Sequence, residues 1–158
     1  MPRERGEKVI ATNRRARHDY NIEKSYEAGM VLTGTEVKSL RQGRANLSDG
    51  YAYIQGGEVF LDAVNIPEYS QGHWTNHAAK RTRKLLLHKD EIVKLSHAVS
   101  AGGYTLIPLR LYFSDGRAKV ELAVAKGMRE YEKRQTIRER EDKREAERAM
   151  RTRNRLGE

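Results

Sequence analysis

The stretch that most constrains the fold runs from Tyr104 to Ala125, where two apolar segments, YTLIPLRLYF and RAKVELAVA, are joined by Ser114-Asp115-Gly116. Each alternates over part of its length, with Leu109, Leu111 and Phe113 in one and Val120, Leu122 and Val124 in the other, the pattern of a strand with one buried face. Pro108 implies a bulge or an edge position, because proline cannot donate to a central ladder. A second hairpin is written in GYAYIQGGEVFLDAVNIP: Tyr51 and Tyr53 on one side and Phe60 on the other flank Gly56-Gly57, and Pro67 closes the second strand.

The rest of the central region supplies partners for these hairpins. From Asp19 onward, Tyr20, Ile22 and Tyr26 stand among polar neighbours as in a half-buried strand. Met30-Val31-Leu32 reads as a short strand bounded by glycine turns at Gly29 and Gly34, followed by a short helix with Thr35 as N-cap and Glu36 in its first turn. Val37 and Leu40 share the apolar face of that helix, Lys38 lies outside it, and Gly43 ends it as a C′ glycine. RKLLLH, Arg83 to His88, reads as a strand; Lys89 to Ala101 reads as an amphipathic helix carrying Ile92, Leu95 and Val99 on one face and stopped by Gly102-Gly103. Many short antiparallel strands with two or three short peripheral helices point to a mainly β fold, a small closed antiparallel barrel of the oligonucleotide-binding, Greek-key kind. A flat open sheet covered by the helices is the alternative.

Three stretches fall outside this pattern. Residues 1–12 carry alternating charge and little apolar material and read as a disordered arm, so the barrel domain is placed at 13–126. Residues 68–82 show no period and read as a long loop containing His73, Trp74 and His77. From Gly127 to Glu158 the apolar residues thin out while charges of both signs interleave. Glu130 with Arg134, Glu139 with Lys143, and Glu147 with Arg151 are spaced i,i+4 with acid before base, which favours a helix by only a few tenths of a kcal/mol per pair. This basic tail is expected to be partly helical or disordered alone and ordered on a partner, reaching roughly 37 Å if helical from Tyr131 to Arg155 at about 1.5 Å per residue.

Charge and composition narrow the function. With 31 Lys and Arg against 22 Asp and Glu, the formal net charge is +9 over 158 residues, which favours a polyanionic partner, nucleic acid before an anionic membrane surface. No apolar run approaches the roughly 20 residues of a membrane span, and no signal-peptide core follows Met1, so a protein that stays in the cytoplasm is expected. The absence of cysteine excludes disulfides, thiolate metal sites and a cysteine nucleophile. Ser39, His18 and Glu27 supply hydrolase residue types without a recognisable spacing, so no catalytic residue is assigned. His73-x-x-x-His77 has the spacing of two metal ligands, yet the stretch is not convincingly helical and lacks a third ligand, so no metal and no cofactor is expected.

Basic residues near strand ends and loops are the better candidates. Arg15, Arg17 and His18 lead into the first strand; Lys38 lies on the short helix; Arg81, Arg83 and Lys84 precede and open a strand; Lys119 and Lys126 lie in the last. The tyrosines and Trp74 offer platforms for unstacked bases, with ordinary sheet packing as the competing role for Tyr51 and Tyr53.

NRRARHDYNIEKSYEAG, GTEVKSLRQGRANLSDGY, RTRKLLLH and VAKGMREYEKR, in that order and spacing, resemble the SsrA-binding protein family, also called small protein B, from about Asn13 to Glu141. The resemblance implies an oligonucleotide-binding-like barrel that binds the tRNA-like domain of transfer-messenger RNA and helps deliver it, charged with alanine, to ribosomes stalled on messages lacking a stop codon. A monomer without a small-molecule substrate is expected. It implies RNA contacts at Glu27, Leu86 and Lys119: a lysine for phosphate, a leucine against a base, and an acceptor for base amino groups. An internal salt bridge is the alternative role for Glu27. It also implies a tail that enters the decoding centre and empty messenger channel as a helix, hinged at Gly127 and contacting the ribosome through Tyr131, Lys133, Arg134, Ile137, Lys143, Arg144 and Met150. Two positions depart from the family's pattern. Tyr131 stands where histidine is common, which keeps stacking but not titration near neutral pH. Ala79 stands where proline is common, which predicts a less restrained loop.

Overall fold

A computed structural model describes residues 6–69, 76–127 and 130–155. In chain order the elements are β1 (Glu7–Thr12), α1 (Ala16–Asp19), β2 (Tyr20–Met30), α2 (Gly34–Arg41), β3 (Tyr51–Gln55), β4 (Glu58–Asp62), β5 (Arg83–Leu86), α3 (Lys89–Ser100), β6 (Tyr104–Ser114), β7 (Arg117–Gly127) and α4 (Glu130–Arg155). The chain divides into two compact units, Met1–Gly127 and Met128–Glu158.

Every strand pairing is antiparallel. The order is β1-β6-β3-β4-β5-β2-β7, and β7 returns to pair with β6, so the sheet closes on itself and leaves β1 as an added strand beside β6. The open-sheet alternative therefore fails, and the small closed barrel stands. Leu61, Leu85, Leu106, Leu111, Val120 and Leu122 fill its interior together with Leu40 from α2 and Leu95 from α3. Burying each such side chain contributes about 1.5–3 kcal/mol, which makes this interior the main stabilising feature of the barrel. At the β3–β4 turn, Gly56 and Gly57 both have positive φ, 60° and 74°, the two-residue geometry whose twist suits a hairpin.

Several local expectations need correction. The register between β6 and β7 shifts between Pro108 and Arg110, the bulge that Pro108 foretold. Because the bulge offsets the alternation, Leu109 does not share a face with Leu111 and Phe113: it packs with Ala16, Ile107, Ala123 and Ala125 in a second cluster, which includes α1. Glu7–Thr12, expected within a disordered arm, is a strand, and residues 1–5 lie outside the described residues. Backbone pairing to β6 and an ion pair from Glu7 to Arg110 hold it, and of its short apolar run Ile10 and Ala11 pack against the core while Val9 stays exposed. Gly29 is not a turn; β2 runs through it to Met30.

The cap of α2 is Thr33 rather than Thr35. Its hydroxyl accepts from the Glu36 amide at 3.3 Å while Glu36 Oε1 accepts from the Thr33 amide at 2.9 Å, a reciprocal capping box. Gly43 follows the C-cap Gln42 with φ 75°, as expected of a C′ glycine. The tail, expected to be partly helical or disordered in isolation, is helical from Glu130 to Arg155, 26 residues or about 39 Å at 1.5 Å per residue. Among the described residues no helix is long and apolar enough to cross a membrane.

Candidate nucleic-acid interface

Glu27, Leu86 and Lys119 come from three neighbouring strands and converge at Gly29. Gly29 in β2 pairs with Leu86 of β5 on one side and with Lys119 of β7 on the other. A Cβ added at Gly29 would lie 3.4 Å from Leu86 Cβ and 3.8 Å from Lys119 Nζ, so the missing side chain leaves a groove between an apolar wall and a cation. Leu86 is 53% exposed, unusual for a leucine beside a filled barrel. Two depressions of about 380 and 320 Å³ share Gly29, Leu86 and Lys119 in their lining, one continuing to His88 and Glu91, the other to Val37 and Phe113.

Glu27 lies two residues before Gly29 and hence on the same face of the strand. Its Oε1 is 3.8 Å from Lys119 Nζ, and its Oε2 accepts a 2.7 Å hydrogen bond from the Tyr112 hydroxyl. Burial and that bond push the Tyr112 hydroxyl well above its ordinary pKa, so it remains a donor throughout the neutral range. The Arg110 guanidinium lies 4.2 Å from the centre of the Tyr112 ring. Arg110 is held in turn by Glu121 at 2.6 Å and by Glu7, and those two carboxylates raise its pKa further. Burial would raise the Glu121 carboxyl, but bonds from Arg110 and Ser25 outweigh it and hold the group below its usual range. A chain of polar contacts thus runs from β1 across β6 and β7 to β2 and ends at Glu27. Glu27 touches an internal cation and still exposes 55% of its side chain, so the internal pair does not cover the carboxylate.

Arg83 requires a correction as an RNA contact. Its side chain has no exposure: Nε donates to Glu36 Oε2, Nη1 to the Val64 carbonyl at 2.8 Å and Nη2 to the Ala79 carbonyl at 3.1 Å. Arg81 donates to Glu36 Oε1 at 2.6 Å and to the Val31 carbonyl at 3.2 Å, leaving about a third of its side chain exposed. Burial by itself would raise the Glu36 carboxyl, but hydrogen bonds from Arg81, Thr33 and Arg83 hold it down to about 2. Ala79 is also better restrained than its residue type predicts, since its carbonyl accepts from Arg83 and from the Ile66 amide at 2.9 Å.

The remaining candidates are spread out. Lys84 pairs with Glu58 at 2.9 Å, and Lys38 Nζ lies 5.7 Å from the Tyr69 ring centre. Lys126, Arg15, Arg17 and His18 are exposed near the other end of β2, with His18 Nδ1 2.9 Å from Asp19. His73 and Trp74 lie outside the described residues. His77 is buried between the Thr35 hydroxyl at 2.9 Å and the Ile66 carbonyl at 2.8 Å, so both ring nitrogens are engaged in holding the loop to α2. Among the described residues no group of three potential ligands gathers around a metal position. Gly127 ends β7; Arg134, Ile137, Lys143, Arg144 and Met150 are exposed on α4, and the side chains of Tyr131 and Lys133 lie outside the described residues.

Gly29, Tyr112 and Arg110 were not among the candidates. The only sequence signal for the last two is their position: they alternate with Leu111 and Phe113, so they face out of the barrel.

A family model described as SmpB protein matches residues 10–152. The chain is 71% identical over 158 residues to the SsrA-binding protein of Clavibacter michiganensis subsp. michiganensis, covering 100% of both. It is 68% identical over the same length to that of Leifsonia xyli subsp. xyli, again 100% of both. Against that of Streptomyces coelicolor it is 61% identical over 150 residues, 95% of this chain and 94% of the relative. A solved structure described as "tmRNA-SmpB: a journey to the center of the bacterial ribosome" superposes with a TM-score of 0.66 at 44% identity, over 81% of this chain and 94% of that one.

Proposed function

We propose, for a chain that belongs to the SmpB protein family, that it binds the tRNA-like domain of transfer-messenger RNA and delivers it to stalled ribosomes for trans-translation. The observation that carries this reading is the groove at Gly29, where Leu86, Lys119 and Glu27 set an apolar wall, a cation and an acceptor side by side. Lysine takes a phosphate, leucine lies against a base or ribose, and the carboxylate accepts from base amino groups, so the surface reads RNA shape as well as charge. The protein acts by binding rather than catalysis, as a cytoplasmic monomer. Its charged helical tail contacts the ribosome in the decoding centre and messenger channel.

A gel shift at physiological salt with the tRNA-like domain and with an ordinary tRNA tests the first part. Tighter binding to the tRNA-like domain is expected; equal, weak and salt-sensitive binding to both would favour a general structured-RNA binder instead. Truncation after Gly127 tests the second: affinity for the tRNA-like domain stays within about twofold while peptide tagging on stalled ribosomes is lost. Loss of RNA affinity as large as that of Lys119→Ala would contradict the separation.

A further inference from the structure

The opposite end of β2 carries a second concave surface that the Gly29 groove does not explain. Tyr20 opens the strand nine residues before Gly29, about 30 Å away at 3.3 Å per residue. Beside it is a cleft of about 420 Å³ lined by Asn13, Arg15, Tyr20, Asp49 and Tyr51, with Thr105 and Ile107 of β6 as its floor. Tyr20 pairs in register with Gly127, so the cleft belongs to the end of the barrel from which the chain leaves for the tail.

The cleft has a fixed wall and uncommitted groups. Asn13 Nδ2 donates to the Pro108 carbonyl at 3.0 Å and the Leu47 carbonyl at 3.4 Å, and the Asn13 amide donates to the Leu109 carbonyl at 2.7 Å, which ties the 47–50 turn to the bulge of β6. Asn13 is 7% exposed, and among the described residues its buried Oδ1 has no hydrogen-bond partner. Arg15 and Asp49 are exposed, and neither side chain has a partner among the described residues. The Tyr51 ring is exposed, with its hydroxyl turned to Asp62 at 3.4 Å.

These groups select a ligand class. Asp49 and Asp19 beside Arg15 disfavour a bare phosphate backbone, and the polar lining disfavours an apolar partner. One unpaired nucleotide suits the three exposed groups: its phosphate on Arg15, its base face on Tyr51, and the amino group of its base on Asp49. We infer that this cleft is a second RNA site taking a single unpaired nucleotide, separate from the Glu27–Lys119 surface. The choice of RNA as the ligand rests on the RNA-binding reading above.

The test uses full-length, isotope-labelled protein titrated with the unpaired RNA tetranucleotide CACA and followed by NMR. The amides of Ser48, Tyr51, Thr105 and Ile107 should shift while those of Gly29 and Lys119 stay, and Arg15→Ala and Asp49→Asn should each weaken binding by about tenfold without changing the unfolding midpoint. No shift at the cleft, a shift confined to Gly29 and Lys119, or indifference to both substitutions would overturn the inference.

Two further arms identify the source of the nucleotide. Loss of affinity of Arg15→Ala for the isolated tRNA-like domain assigns it to transfer-messenger RNA; loss only in association of the preformed complex with stalled ribosomes assigns it to ribosomal RNA. No loss in either arm counts against the site. The earlier reading fails separately, by Lys119→Ala leaving the affinity for the tRNA-like domain unchanged, which would not alter the tetranucleotide map.

Discussion

Two acid–base pairs in the barrel use the same chemistry to opposite ends. Glu36 and Arg83 have no exposed side chain, and every guanidinium nitrogen of Arg83 is bound, to Glu36 or to a carbonyl of the segments 64 and 79. Glu27 and Lys119 approach only to 3.8 Å and keep 55% and 26% of their side chains exposed. The first pair fastens α2 to β5 and to the loops before it. The second is a weak contact that an incoming phosphate and base can replace at little cost, since exposed pairs contribute about 0–1 kcal/mol. A basic residue beside a strand end therefore signals a nucleic-acid contact only when its charge is not already committed inside the protein.

The largest effect expected from this contrast is on stability. Glu36→Ala removes the side-chain half of the capping box on α2 and leaves Arg83 buried without its counter-charge, and should destabilise the barrel by about 3–5 kcal/mol in chemical unfolding. Replacing both partners by apolar residues, Glu36→Leu with Arg83→Met, should recover part of that loss; no recovery would mean that the bonds to Val64 and Ala79 matter more than the pair. The same pair predicts an acid limb. The Glu36 carboxyl is held near 2 in the folded chain against an ordinary value of 4.5, so its contribution is full above about 4.5 and is lost as pH falls towards 2. Its size is about 3 kcal/mol, and an unfolding midpoint flat between pH 5 and 2.5 would contradict it.

Effects at the exposed pair should be smaller and should appear in binding. Lys119→Ala should weaken binding to the tRNA-like domain by about five- to tenfold and reduce the salt dependence by roughly one phosphate contact. Tyr112→Phe should have the smallest effect, about 1 kcal/mol or less in RNA affinity, because it frees Glu27 without removing it. An effect of Tyr112→Phe larger than that of Lys119→Ala would show that the orientation of Glu27, rather than the cation, dominates recognition.

Much of this was legible in the sequence, and the exceptions have physical causes. The long hairpin of β6 and β7, the Gly56-Gly57 turn and the amphipathic α3 are local patterns, and they appear where the alternation and turn residues put them. β1 was not legible because its stabilisation comes from pairing to β6 and from Glu7 meeting Arg110, about a hundred residues away. Arg83 was misassigned for a related reason: RTRK shows three basic residues in a row of four, and only the closed barrel reveals that one of them points at Glu36. Gly29 read as a turn because glycine permits the positive φ that a turn can require, whereas here its missing side chain opens the groove. The convergence of Glu27, Leu86 and Lys119 came from family resemblance; nothing in their sequence separation places them together, and the strand register does.

The most direct test takes Lys119→Ala and Arg83→Met side by side and measures, on the same preparations, affinity for the tRNA-like domain and the unfolding midpoint. Lys119→Ala should lose RNA affinity at an unchanged midpoint, and Arg83→Met should lower the midpoint while the fraction that remains folded binds RNA within about twofold of the parent. A stable Arg83→Met protein with weakened RNA binding, or a Lys119→Ala protein that binds RNA as the parent does, would contradict the division between the two pairs.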